Sequence, residues 1–448
     1  MITLDKTLLS PMGEPDTALL CALLAAHGKN RVRLNRLKDA YDRKHKIDGR
    51  TRLRGLPNNR LAHDLPGYIV AMAAGYLVGS PVGYTPAQAN TGGFAPLREA
   101  LAAASSESVD AELAADAAVY GKGMEIYYAD PMARPRMAQI DPRNAFVVYD
   151  DTVEHLPILG ITISEICDSS LKKRGERVAV YTREEVIHYE RKGREALCLV
   201  GREPHFFGGV PLVEYWNNSR EEGDFEAVLG LIDAYDALQS DRVNDKQQFT
   251  DSILALYGVG GLGTEDGDET GAPPGEPGNG EGISPSQRLR QTKTLFMPGD
   301  GARAEWLTKP LAEADTEVLR KSLKDDIHKL CLVPDLSDES FAGNASGVAM
   351  RFKLFGLEQL TKIKERWFRE GLRSRLRLFA AFLAMRGAAI ADVDTIQISF
   401  QRSLPVNETE IAAMVAAYDG IVPRRLLLGQ VPFVDDPEEA LKALAQER

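Results

Sequence analysis

The stretch VPLVEYWNNSREEGDFEAVLGLIDAYDALQSDRVND, Val210–Asp245, contains the change of hydrophobic period on which the fold turns. Up to about residue 215 apolar side chains recur every second residue. From Asp224 they recur with a helical period, and Phe225, Val228, Leu229, Ile232, Tyr235 and Leu238 fall on one face while charged residues fill the rest. The spacing predicts a helix running to about Phe249, entered directly from a β-rich region.

Upstream, short strands are expected at Met124–Tyr128, Pro135–Ile140, Ala145–Tyr149, Ile158–Ile163 and Val178–Thr182, around His188, and at Leu197–Val200. Asp130-Pro131 and Asp141-Pro142-Arg143 supply turns between the first of them. Residues 120–215 therefore read as an antiparallel β-rich domain. Before it, helices are expected over Asp16–Lys46, Asp64–Val78, which stops at Gly79-Ser80-Pro81, and Ala95–Tyr120. The chain turns basic between Lys29 and Arg54, as a solvated helix face does, or a contact for an acidic partner.

Downstream, Gly258–Gly282 is acidic, rich in Gly and Pro and too poor in apolar side chains to pack, so a mobile loop is expected. A strand at Thr292–Met297 follows, then a helix over Leu311–Leu332 with Leu319, Leu323, Ile327 and Leu330 as its stripe. After a small-residue loop, Ser346–Met385 reads as almost unbroken helix, with Ser346 a candidate cap. A last strand, Thr395–Phe400, precedes short helices. The fold class is α+β.

With 448 residues, 44% of them hydrophobic, the chain can bury a full core, and its formal net charge of −11 opposes tight, sequence-independent nucleic-acid binding. Cys21, Cys167, Cys198 and Cys331 lie far apart and read as reduced, mostly buried thiols. No basic-then-apolar leader pattern opens the sequence, and no apolar run reaches roughly 18 residues, so no membrane span is expected.

Candidate chemistry is sparse. FAGNASGVAMRF, Phe341–Phe352, looks like a phosphate loop, but only three residues separate Gly343 from Gly347, and Val348-Ala349 stand where Lys and Ser/Thr would be needed. Asp150, Asp151, Glu154 and His155 suggest a metal site, against which Asp-Asp-Thr after a strand is ordinary turn chemistry. Asp435, Asp436, Glu438 and Glu439 suit an acidic helix start, and His63-Asp64 an isolated structural pair. No nucleophile or zinc motif stands out.

Ordered along the chain, several segments together carry a resemblance: YDRKHKI (Tyr41–Ile47), PNNRLAHDLPGYIVAMAAGYLVGSPVGY (Pro57–Tyr84) and IDPRNAFVVYDDTVEHLPILGI (Ile140–Ile161). Val210–Asp245, VPDLSDESFAGNASGVAMRFKLFGLE (Val333–Glu358) and SLPVNETEI (Ser403–Ile411) complete the series. The chain resembles portal proteins of tailed bacteriophages, of the siphophage type. The resemblance implies a ring of about twelve subunits, each with a wing, a helical stem, an inserted clip and a helical crown. By position it implies a wing at 1–222, stem helices at 223–249 and 310–333, and a clip at 250–309 that here carries the acidic insert. A tunnel loop would follow at 334–345, a long wing helix and strand at 346–402, and a crown at 403–448.

It further implies no enzymatic activity and no cofactor. Double-stranded DNA would be a transient passenger, driven by a separate terminase large subunit. Major capsid and scaffolding proteins and a head-completion adaptor would be partners, and the location would be the portal vertex of a virion assembled in host cytoplasm. Simple geometry agrees: helices packed about 9 Å apart, twelve to a circle, give a diameter of roughly 34 Å. Removing one helix thickness of about 10 Å leaves roughly 24 Å, which passes a duplex about 20 Å across. Six helices would leave roughly 7 Å. An acidic bore holds polyphosphate loosely.

Contact with the duplex is expected at Ser337, Asp338, Glu339, Ser340, Phe341, Ala342, Gly343, Asn344 and Ala345, where glycines and small side chains give mobility; the alternative is an ordinary exposed connection. The long helix carries Arg351, Lys362, Arg366 and Arg369 among other cations, expected to pair with acids of a neighbouring subunit rather than to face DNA. Two competing classes remain: a metal-dependent nucleic-acid enzyme using Asp150, Asp151 and Glu154, and a membrane pore, against which the missing span counts.

Overall fold

The computed structural model describes residues 1–53, 56–87, 91–193, 195–249, 253–257, 294–297, 301, 303–307, 313–337, 352–402, 408–429 and isolated positions from 431 to 445. Its chain divides into two units, one of Met1–Arg43, Asp64–Leu229 and His328–Arg448, the other of Lys44–His63 and Gly230–Ile327.

In the first unit, α1 (Thr17–Tyr41) and α2 (Leu65–Val78) begin at Asp16 and Asp64, whose carboxylates accept the backbone N–H groups of Leu19 and Gly67. The expected single helix from Ala95 to Tyr120 is two helices, α3 (Thr91–Ala103) and α4 (Ser106–Tyr120). Between them Ser105 takes a left-handed backbone, φ 56°, which ends one helical register and starts another.

The β region forms two sheets rather than one. Strands β1 (Ile2–Leu4), β5 (Ala145–Asp150), β6 (Pro157–Cys167), β7 (Lys173–Tyr181), β8 (Glu185–Lys192) and β9 (Cys198–Pro204) lie side by side in the order β1-β5-β6-β7-β8-β9. All its pairings are antiparallel except β1 with β5, a parallel pair set by the far N-terminus. The second sheet places β3 (Lys122–Ala129) between β10 (Leu212–Trp216) and β4 (Pro135–Gln139). Helix α1 covers the larger sheet, burying Leu20 and Leu23 against Phe146, Val148, Leu159, Ile161, Val178 and Ile187.

The smaller sheet is covered by α2, α3, α4 and the long α7 (Phe355–Met385), through Leu97, Leu113, Tyr127, Tyr215, Phe368, Leu372, Leu376 and Phe379. Gly371 makes this approach possible, since a Cβ there would lie 2.5 Å from the Tyr215 ring. Gly121, at φ 88°, turns the chain from α4 into β3 where a Cβ would strike the Glu221 carbonyl. The C-terminal part adds β14 (Gln397–Ser399), antiparallel to β2 (Gly83–Thr85), and helices α8 (Glu408–Tyr418) and α9 (Arg424–Leu428). The candidate cap Ser346 lies outside the described residues, and α7 starts at Phe355.

The second unit holds most of α5 (Leu229–Phe249) and α6 (Glu313–Cys331). It also holds a three-stranded sheet in which β11 (Ile253–Tyr257) lies between β12 (Thr294–Met297), parallel to it, and β13 (Arg303–Leu307), antiparallel. Only β12 was expected; β11 is a continuous apolar run and β13 alternates within just five residues, windows too short for periodicity to tell strand from helix. The acidic segment Gly258–Gly282 lies outside the described residues. Three of the four thiols expected to be mostly buried are exposed, Cys21, Cys167 and Cys198, and Cys331 is buried.

Candidate functional site

In the second unit, α5 and α6 are tied by ion pairs from Arg242 to Glu317 at 2.8 Å and from Lys246 to Glu313 at 2.6 Å. Arg320 also grips Glu317, and these cations hold that carboxyl down to about 2. The stripe expected on α6 is only partly covered: Ile327 is buried and Leu323 half-buried, but Leu319 and Leu330 are 50% and 61% exposed.

Helix α5 has another buried face that sequence reasoning missed. Asp236, Ser240 and Asn244, four residues apart, are all fully buried and receive the segment 44–63 as a strap. His45 Nδ1 bonds Asp236 Oδ2, and His63 bonds Oδ1 through its backbone N–H and Nδ1, both at 2.9 Å. The Leu61 N–H donates to Ser240 Oγ at 3.0 Å, the Asn59 N–H to Asn244 Oδ1 at 2.7 Å, and Arg50 and Arg52 converge on Asp241. Burial alone would raise the Asp236 carboxyl, but the histidine donors overcome it and hold it below its ordinary value. His63 therefore belongs to a strap, not to an isolated pair with Asp64. The four-residue recurrence of small polar residues was the available signal.

Of the expected tunnel loop, the near end is described. Leu332, at φ 58°, closes α6 in the left-handed conformation. Tyr68 then brackets the turn, its hydroxyl donating to the Pro334 carbonyl at 2.7 Å and accepting the Leu336 N–H at 3.2 Å. His328 Nδ1 bonds the Val333 carbonyl at 3.0 Å, and Ser337 donates from N and Oγ to Asp335 Oδ1. Asp338, Glu339, Ser340, Phe341, Ala342, Gly343, Asn344, Ala345 and Arg351 lie outside the described residues.

Not every cation of the long helix faces outward. Arg375 is fully buried between Asp110 Oδ1 at 2.6 Å and Glu125 Oε1 at 2.9 Å, under the Tyr215 ring. Tyr127 and Tyr215 both donate phenolic protons to Glu125. Burial, against the pull of Arg375, pushes Asp110 up to about 6. Lys364 is likewise buried on Asp224. Arg369 lies over the Phe400 ring at 5.5 Å. Lys362 and Arg366 are exposed; Lys362 reaches Glu358 only at 3.6 Å, and Arg366 has no acidic partner among the described residues.

The carboxylates proposed for a metal-dependent enzyme do not assemble a site. Asp150 is fully buried and spent on its own turn, accepting from Thr152 Oγ1 at 2.7 Å and the Leu156 N–H at 2.9 Å, with Lys6 Nζ at 2.6 Å. Lys6 above all, helped by these donors, holds its carboxyl down to about 2. Asp151 and Glu154 point outward, and among the described residues no group of three His, Cys, Asp or Glu side chains is placed to hold a metal ion. No described helix is long and apolar enough to cross a membrane.

A family model described as "Phage portal protein, SPP1 Gp6-like" matches residues 22–448. A protein named "Portal protein" from Clostridium phage phiCD119 is 27% identical over 245 residues, 54% of this chain and 50% of that protein. One of the same name from Bacillus phage SPP1 is 26% identical over 251 residues, 54% of this chain and 45% of that one. The matched region spans about half the length of each of these relatives.

Proposed function

Because this chain belongs to the SPP1 Gp6-like family of phage portal proteins, we propose that it closes with copies of itself into a ring at one capsid vertex, through which double-stranded DNA is packaged and later released toward the tail. The observation that carries the reading is the family match along residues 22–448. The ion-paired α5 and α6 supply the stem of such a channel, with β11, β12 and β13 as its clip, and residues 338–345 supply the element nearest the DNA. About twelve copies fit a duplex, by the packing arithmetic above. A terminase large subunit would drive DNA through the ring. Capsid, scaffolding and adaptor proteins would contact it in the virion, and assembly would take place in host cytoplasm.

The bracketing of Pro334 and Leu336 by Tyr68 supports a fixed point from which the proposed channel loop leaves the chain's core. Negative-stain images of purified protein should show closed rings with a central opening of at least 20 Å, the duplex width. Deleting Asp338–Ala345 should leave the rings intact and reduce packaged DNA and particle titre at least tenfold; unchanged packaging would remove the loop from the channel.

A further inference from the structure

We propose that the turn between β5 and β6 of one copy docks on the outer face of α7 of the next, setting Asp151 and Glu154 against Lys362 and Arg366, and Val153 against Ile363. This rests on the portal reading and names the acids that its inter-subunit cations meet. The turn is prefabricated. Asp150, locked inward by Thr152, Leu156 and Lys6, fixes its shape. Asp151 and Glu154 are left exposed on it, and Val153 is 98% exposed. An aliphatic side chain held almost wholly in water between two carboxylates is a small acidic knob with an apolar tip.

The receiving face has the opposite charge. On α7 the exposed positions recur at Phe355, Gln359, Lys362 with Ile363, Arg366 and Glu370, one side of a helix whose opposite side is the core. Ile363 is 49% exposed. Within one chain the knob does not occupy this face: a cleft of about 600 Å³, walled by Glu154, His155, Trp367 and Ser374 among others, separates the turn from the helix. Knob and face lie on either side of that cleft; the proposed contact is head-to-tail, repeating from copy to copy until rotation closes the ring, and a closed two-copy particle in the images overturns it. A single exposed ion pair contributes little, whereas the same contact at every interface of a ring, centred on Val153 and Ile363, gives direction and register.

The test uses the full chain, with mass photometry and negative-stain imaging as readouts. Asp151→Lys with Glu154→Lys, and separately Lys362→Glu with Arg366→Glu, should each cut the ring fraction at least tenfold at a concentration where the parent chain is assembled. Combining all four should restore it to within twofold. In a chain with Cys21, Cys167 and Cys198 replaced by Ser, since these thiols are exposed, Val153→Cys with Ile363→Cys should give, on mild oxidation, a ladder of linked copies that neither single variant gives, a readout independent of how the charge variants fold. Either charge variant assembling like the parent, or a four-residue combination that folds but does not recover, overturns the pairing and leaves the portal reading intact. If the charge variants fail to fold, absence of the ladder overturns it and presence supports it. A parent chain that never closes into rings overturns the portal reading, and the pairing with it.

Discussion

Replacing Arg375 with Met probes the contact on which α7 meets its sheet. The substitution keeps an unbranched side chain of similar length and removes the cation shared by Asp110 and Glu125, both within 3 Å of the guanidinium. Breaking a buried pair by deleting one partner costs about 3–5 kcal/mol. Two carboxylates lose their partner here, and the Tyr215 ring its stacked cation, so the upper part of that range applies. At about 2–4 °C per kcal/mol for domains of 150–250 residues, and less for a larger unit, the expected fall in Tm at pH 8 is roughly 10 °C. The sign with pH follows from the same groups. Burial already raises the Asp110 carboxyl and Arg375 pulls it down, so without the cation it takes up a proton still more readily than in the unfolded chain, and the deficit narrows as pH falls from 8 to 5. Calorimetry at the two pH values measures both effects, and the triple variant with Asp110→Asn and Glu125→Gln should recover most of the loss. A variant within about 1 kcal/mol of the parent at pH 8, or one whose deficit grows on acidification, would refute the reasoning.

Three further outcomes follow from the same kind of argument. Asp110, pushed up to about 6 by burial from an ordinary value of 3.8, ionises at a cost to the folded state; stability should therefore fall between about pH 4 and 6, and Asp110→Asn should flatten that part of the profile. Asp236→Ala strands His45 and His63 and should cost about 2–3 kcal/mol, with hydrogen exchange accelerating over residues 44–63; unchanged exchange there would show that the strap is held by other contacts. Cys21, Cys167 and Cys198 should react with a thiol reagent in the folded protein, while Cys331, buried and with its thiol pushed up to about 11, should react only on unfolding.

Segments with one dominant period were legible in the sequence. Phe225, Val228, Leu229, Ile232 and Tyr235 form the buried face expected of them, and the strands at 122–192 fall near their predicted places. The division into two sheets was not legible, because the pairing of β1 with β5 joins residues about 145 apart and no local pattern records it. The same limit hid the buried charges. An amphipathic reading puts every Arg and Lys of a helix in water, yet Lys364 and Arg375 find acids 140 and 250 residues away along the chain. For the candidate site, sequence identified the turn at Asp150 but not its inward lock, since one aspartate beside another looks alike until a lysine at position 6 is folded against it.

The close seat of α7 on Tyr215 depends on a missing atom, the Cβ that Gly371 lacks. Even one methyl group there would wedge the long helix away from β10, lifting Phe368 and Leu372 out of the cavity they fill and tilting everything mounted on its far side. Gly371 thus works as a spacer gauge. How far the outer face of α7 stands from β10 is set by this depth of seating, so a surface many residues wide takes its position from a single buried site.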